Sequence, residues 1–169
     1  HKSDVGGVVL GVGDIQGLQE NALKIGIATG NPASPILVQR MEHGLAEAIV
    51  GYRDDPVAGP LVMVGAGGIL AELYNDVAIG LAPVGEAQAL EMIGRVKGFA
   101  LLRGYRGRPP GDLAALARAV SALSRLALLE GRPVREAEAN PVIVKAREVV
   151  AVDALVLLKV ETRDGIREE

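Results

Sequence analysis

An α+β fold, with a mixed or antiparallel sheet covered by helices, follows from two features of the sequence, and composition says what its core is made of. Strand-like segments outnumber helical ones, and several follow one another with no helix between them, which disfavours a repeated βαβ plan. One segment, Asp112 to Glu130, keeps a strong helical period. Apolar residues make up 49% of the chain and aromatic ones only 2%, so the core must be built from Val, Leu, Ile and Ala. The 169 residues suffice for one domain with a real core. With no internal repeat and no linker visible, residues 1–169 read as a single domain.

The elements follow in order. A polar loop, His1 to Gly7, turns into a strand over Val8 to Val12. Asp14 has the side chain to cap a helix over Ile15 to Ala28, with Ile15, Leu18, Ala22 and Ile25 on one stripe, and Gly30-Asn31-Pro32 stops it. Ile36 to Met41 reads as a strand running into the polar tip Glu42-His43-Gly44. Two more strands, Ala46 to Tyr52 and Gly59 to Val64, flank the turn Arg53-Asp54-Asp55-Pro56. After the loop Gly65-Ala66-Gly67-Gly68, extended structure resumes over Ile69 to Leu81. Gly85 to Lys97 is a short helix closed by Gly98. Gly104 to Gly111 is irregular. Asp112 then caps the best helix, whose residues Leu113, Leu116, Ala117, Val120, Leu123, Ser124 and Ala127 keep the i, i+3, i+4, i+7 pattern until Gly131 ends it. Arg135–Val144 and Val149–Ala154 are two strands separated by Lys145-Ala146-Arg147-Glu148, and a charged tail closes the chain.

Composition excludes several classes of function. There is no cysteine, so disulfides, thiolate catalysis and cysteine metal sites are out. The net charge of −3 comes with no basic block, which argues against nucleic acid as a partner. No apolar run approaches the roughly 18 residues of a membrane span, and nothing resembles a signal peptide. A cytoplasmic protein is the expectation. The chain opens on His1 and runs straight into a glycine-rich motif, which reads as a fragment or an excised domain.

The strongest candidate site lies in the last two strands. Side chains alternate along a strand, so Glu136, Glu138 and Asn140 share a face. If the pair folds back between Ala146 and Arg147, positions summing to 293 lie opposite each other, and Asn140 faces Asp153. An amide oxygen beside carboxylates is a hard oxygen site suited to Mg²⁺. The competing reading is a solvated charged strand next to an apolar one. Asp153 favours the metal, because its neighbours Val-Val-Ala-Val and Ala-Leu-Val-Leu-Leu are too apolar for a surface strand, and a carboxylate buried there needs a partner. The turn Lys-Ala-Arg-Glu lacks tight-hairpin chemistry, so the register is not fixed by the turn itself. Elsewhere, Gly67-Gly68 has the backbone freedom to approach a phosphate but follows neither a P-loop nor a Rossmann pattern, and on its own reads as a turn. His1 reads either as a proton shuttle or as a frayed end, and Tyr105-Arg106 either as an anion contact or as a solvated loop.

Taken together the motifs resemble a known family. His1-Lys2-Ser3-Asp4-Val5-Gly6-Gly7-Val8, Asp55-Pro56-x-x-Gly59-Pro60, Gly65-x-Gly67-Gly68-Ile69-x-x-Glu72, Asp76-Val77-Ala78 with Ala82-Pro83, Gly104-Tyr105-Arg106-Gly107, Glu136-x-Glu138-x-Asn140-Pro141 and Ala151-Val152-Asp153-Ala154 occur in that order. The set resembles the ATP-grasp (β) domain of the nucleoside-diphosphate-forming acyl-CoA synthetases, such as ADP-forming acetate–CoA ligase, with succinyl-CoA synthetase β chains as more distant relatives. The resemblance implies the C-terminal portion of an ATP-grasp domain. Its expected reaction interconverts acyl-CoA, phosphate and ADP with the free acid, CoA and ATP, through a phosphohistidine. It implies Mg²⁺ and ATP/ADP as cofactors, and a CoA-binding domain or α subunit as partner in a hetero- or homo-oligomer. Asn140 and Asp153 match the Mg²⁺ ligands, with Glu138 beside them. His1 matches a histidine implicated in receiving the phosphoryl group, Gln39-Arg40-Met41 matches the hinge strand along the adenine, and Gly67-Gly68 falls in the glycine-rich loop.

The chain also departs from the pattern. Family members carry a further lysine-bearing piece before the position of His1, Phe where Ala58 stands and Arg where Leu155 stands. Two functions from different classes follow: a catalytic piece of an acid–CoA ligase, or a non-catalytic ATP-grasp-like scaffold or regulatory module of a larger protein, for example one fused to an acyltransferase.

Overall fold

The computed structural model describes residues 6–68, 76–104, 107 and 109–159. The chain forms two compact units, His1–Met41 and Glu42–Glu169. In the first, α1 (Ile15–Ala28) is capped as its sequence predicts, the Asp14 carboxylate accepting the Gly17 N–H at 2.7 Å. The expected strands Val8–Val12 and Ile36–Met41 are not formed: neither joins a ladder. Apolar β-branched composition favours extended backbone, but a strand also needs a neighbour to pair with. Instead the two segments and α1 border a groove of about 320 Å³, lined by Val9, Leu18, Ile25, Leu37, Gln39 and Met41 among others.

The second unit is an antiparallel sheet with helices on one face, in agreement with the predicted α+β class. Its strands are β1 (Ala46–Asp55), β2 (Gly59–Ala66), β3 (Val77–Leu81), β4 (Val134–Val144), β5 (Val149–Ala151) and β6 (Ala154–Leu158). Their order is β3-β2-β1-β4-β5, with β6 also paired to β4. Alternation points Ala48, Val50, Val62, Val64, Ala78, Val142 and Val144 to one face. They pack there against Met92 and Ile93 of α2 (Glu86–Arg95), against Phe99 and Leu102 of a 3₁₀ helix (Lys97–Arg103), and against Leu116 and Val120 of α3 (Leu113–Ser124). The one phenylalanine of the chain, Phe99, is 1% exposed, and short aliphatic residues fill the rest of the core.

Several element boundaries differ from the expectations: β1 runs on through Arg53-Asp54-Asp55 of the expected turn, and β2 through Gly65-Ala66 of the expected loop. Residues 69–75 lie outside the described residues, so only Val77–Leu81 of the expected extended stretch is seen, as β3. Gly98 does not end the helix before it: the Asp76 carboxylate accepts the Lys97 and Gly98 N–H groups at 3.0 and 2.6 Å and so opens the 3₁₀ helix. That helix closes at Gly104, whose φ of +85° suits glycine. The long helix begins at Asp112 as expected, with the Ala115 N–H on its carboxylate at 2.8 Å, but its α-form ends at Ser124 and continues as 3₁₀ over Arg125–Leu128. The Ser124 hydroxyl donates back to the Ser121 carbonyl at 2.7 Å and accepts the Val84 N–H at 3.0 Å, which tightens the last turn. Among the described residues no helix is long and apolar enough to cross a membrane.

Candidate functional site

β4 is the longest strand and the one that carries the candidate ligands. Its pairing with β5 and β6 keeps the predicted sum of 293: Val144↔Val149 and Val142↔Ala151 on one side, Ala139↔Ala154 and Glu138↔Leu155 on the other. Between these two ladders the second strand is broken at Val152-Asp153. There the Asn140 N–H donates to the Asp153 carbonyl, and the Val152 N–H to the Pro141 carbonyl, both at 3.0 Å. Asn140 therefore stands opposite Asp153 in register. The Asn140 side-chain amide donates to Glu138 Oε1 at 3.1 Å, so these two side chains share the strand face, as period-two alternation requires. The Asp153 carboxylate accepts the Ala154 N–H at 3.0 Å.

The expected burial of Asp153 is corrected. The residue is half-buried, and the apolar strand that follows it lies at the sheet edge with Leu155, Val156 and Leu158 exposed at 60%, 54% and 61%. Leu155 pairs with Glu138 and Val156 with Ala137, so the exposed residues lie on both faces of an edge strand, not in a core strand.

The donor set fits Mg²⁺. Asn140 and the carboxylates of Glu138 and Asp153 are hard oxygen donors. Among the described residues no three His, Cys, Asp or Glu side chains gather into a group that could hold a metal alone. Mg²⁺ is usually held by one or two carboxylates together with phosphate oxygens and waters. On the face away from the helices, Glu138 also borders a groove of about 420 Å³ floored by Gly51, Met63, Ile79, Leu155 and Leu157. Arg53 stands at its rim, 3.9 Å from both Asp55 and Glu136.

The remaining candidates are spread out. The Gly67 N–H donates to the Glu47 carbonyl at 2.8 Å, and a Cβ at Gly67 would stand 3.0 Å from the Glu47 carbonyl carbon. Glycine is therefore required by close strand contact, and Gly68 by its φ of +87°. Glu47 pairs with Ile143, which sets this loop two strands across from β4 at the level of Ile143, three residues along the strand from Asn140. Gln39 and Met41 border the groove of the first unit, whereas Arg40 does not line it. His1, Tyr105 and Arg106 lie outside the described residues.

Three ionic features escaped the sequence reading. Lys145 bridges Glu42 at 2.7 Å and Glu148 at 2.6 Å, and hydrogen bonds to Glu148 and then Glu42 raise its pKa. Asp76 caps the 3₁₀ helix. Asp54, its carboxylate 6% exposed, holds Arg132 and Lys159. Alternation alone places Asp54 on the buried face, two residues beyond Tyr52, and that was the available signal.

A family model for the ATP-grasp domain matches residues 1–158. The chain belongs to the ATP-grasp family. It is 38% identical over 163 residues to the ADP-forming acetate–CoA ligase I of Archaeoglobus fulgidus, covering 94% of this chain and 24% of that protein. It is 35% identical over 164 residues to the β subunit of the corresponding Pyrococcus furiosus ligase, covering 94% of this chain and 70% of that subunit. This ATP-grasp chain thus spans about a quarter of the single-chain relative and about two thirds of the separate β subunit. Its fold matches, with a TM-score of 0.82 and 36% identity over 94% of this chain and 71% of the other, the dinucleotide-forming acetyl-coenzyme A synthetase 1 of Ca. Korarchaeum cryptofilum. That structure holds coenzyme A and Mg-AMPPCP, with a phosphohistidine segment pointing towards its nucleotide site.

Proposed function

We propose that this ATP-grasp chain is the nucleotide-handling part of an ADP-forming acid–CoA ligase, working in the cytoplasm. In this reading it transfers a phosphoryl group between a phosphohistidine on a CoA-binding partner domain or α subunit and ADP. The observation that carries the reading is the register that sets Asn140 opposite Asp153, with Glu138 hydrogen-bonded to Asn140 on the same strand. Asn140, Asp153 and Glu138 are the groups that would hold Mg²⁺. When bound, the ion neutralises phosphate charge and orients the phosphates for in-line transfer. The protein's own part is positioning: β4 holds Glu138 and Asn140 on a backbone paired to strands on both sides, and Gly67-Gly68 brings main chain rather than side chains towards the phosphates. Gln39, Arg40 and Met41 border the base, and His1 takes part in phosphoryl relay.

The test is Asp153→Asn in the full-length protein, which keeps shape and removes the charge. ADP-dependent turnover should fall by about 100-fold or more, the scale of one lost electrostatic contact in a transition state, with thermal unfolding unchanged. Wild-type turnover with a lowered melting temperature would show a structural aspartate instead. Absence of turnover in the wild-type protein itself would point to the scaffold role.

A further inference from the structure

Nothing in β6's own residues fixes its register. Ala154, Leu155, Val156, Leu157 and Leu158 are all apolar, so a slip by one or two positions exchanges like for like. The strand lies at the sheet edge, and the helices cover the sheet around β1, not around its exposed leucines. Register nevertheless matters here, because a one-residue slip would turn Asp153 to the opposite face from Asn140. The ladder already slips once, between Val134 and Glu136.

The far end of β6 is fastened immediately beyond that slip. The Lys159 N–H donates to the Pro133 carbonyl at 2.8 Å, and its ammonium pairs with Asp54. The same carboxylate accepts Arg132 Nη1 at 3.1 Å. Arg132 is the one non-glycine residue with positive φ, +44°, among the described residues. A strained backbone persists where its surroundings hold it, and here it brings the guanidinium to Asp54. Asp54 is nearly buried although both cations are about half exposed, so the carboxylate is the fixed point and the cations are what it holds.

We infer that Asp54, through Lys159 and Arg132, is a positioning residue for the metal site: it latches β6 in register and so sets Asp153 opposite Asn140. The inference rests on the proposed Mg²⁺ role of Asp153.

The test uses Lys159→Met and Lys159→Arg in the full-length protein, with Asp153→Asn measured alongside. In Lys159→Met, amide hydrogen exchange at Leu155 to Leu158 should accelerate about tenfold while the β1–β2 amides stay protected, the mark of a local opening. The apparent Mg²⁺ affinity, read from the Mg²⁺ dependence of nucleotide binding, should fall about 10-fold, the lower end of the loss when a supporting group leaves a metal site. Lys159→Arg should restore both. Unchanged exchange in Lys159→Met overturns the latch. Faster exchange with wild-type Mg²⁺ dependence, while Asp153→Asn does alter that dependence, overturns the coupling and leaves the metal reading standing. If Asp153→Asn also leaves Mg²⁺ dependence unchanged, the metal reading fails and the positioning role with it.

Discussion

β1 and β6 pair antiparallel with the same strand, on its opposite sides, and their fates are reversed. β1 contains Glu47, Arg53, Asp54 and Asp55, yet its Ala48, Val50 and Tyr52 are 0–3% exposed. β6 has no polar residue, yet three of its five side chains are more than half exposed. Apolar content therefore did not decide which strand became core. Position in the sheet did: β1 sits between β2 and β4 under the helices, and β6 at the edge. β1 holds the framework, and the break before β6 holds Asp153.

The comparison breaks most sharply under cavity mutations. Leu116, fully buried in the same core as Val50, should lose about 2–5 kcal/mol on truncation to Ala, the range for buried leucines. Leu155→Ala on β6 should stay within about 0.5 kcal/mol, as exposed positions do. Urea unfolding of both variants measures the contrast. Comparable losses would show that Leu155 is covered in solution.

This contrast also marks what the sequence could tell. The 293 register followed from assuming a fold-back between Ala146 and Arg147, which the turn residues do not themselves fix, and the ladder keeps it. The burial of Asp153 was not legible, because a run such as Ala154–Leu158 looks alike in a core and in an exposed edge strand. Val8–Val12 and Ile36–Met41 failed for a related reason: their composition announces extended backbone but cannot supply a partner. The Asp54 cluster joins residues 78 and 105 positions apart, a long-range pairing that no local window contains.

A smaller effect sharpens the β1 side. The Tyr52 hydroxyl is buried with no hydrogen-bond partner, and burial, then the nearby Asp54 charge, raises its pKa. An unpartnered buried hydroxyl costs stability, of order 1 kcal/mol or more. Tyr52→Phe should therefore leave stability unchanged or raise it by about 1 kcal/mol. A clear loss in denaturant unfolding would mean that an ordered water partners the hydroxyl.

The smallest effect is a pH dependence at the end of β1. The Asp55 carboxylate accepts the Ala58 and Val57 N–H groups, each at 2.9 Å, and closes the turn into β2. These bonds, with Arg53 nearby, lower its pKa. A lowered carboxyl pKa in the folded state means that the contribution is complete above the unfolded value of about 3.9 and disappears as pH falls through the folded value. The stability gap between the wild type and Asp55→Ala should thus be constant near neutral pH and close only on the acid side. Lys145 behaves in the opposite sense. Hydrogen bonds to Glu148 and Glu42 raise its pKa, so its contribution is complete below the unfolded value of about 10.4 and fades only as pH rises through the folded one. Melting temperatures of Asp55→Ala and Lys145→Met across the pH range should converge on the wild type at opposite ends. Since Asp55 closes the β1–β2 turn and Lys145 the β4–β5 turn, convergence at the same end would mean that charges elsewhere in the sheet, not these local hydrogen bonds, set the pH response.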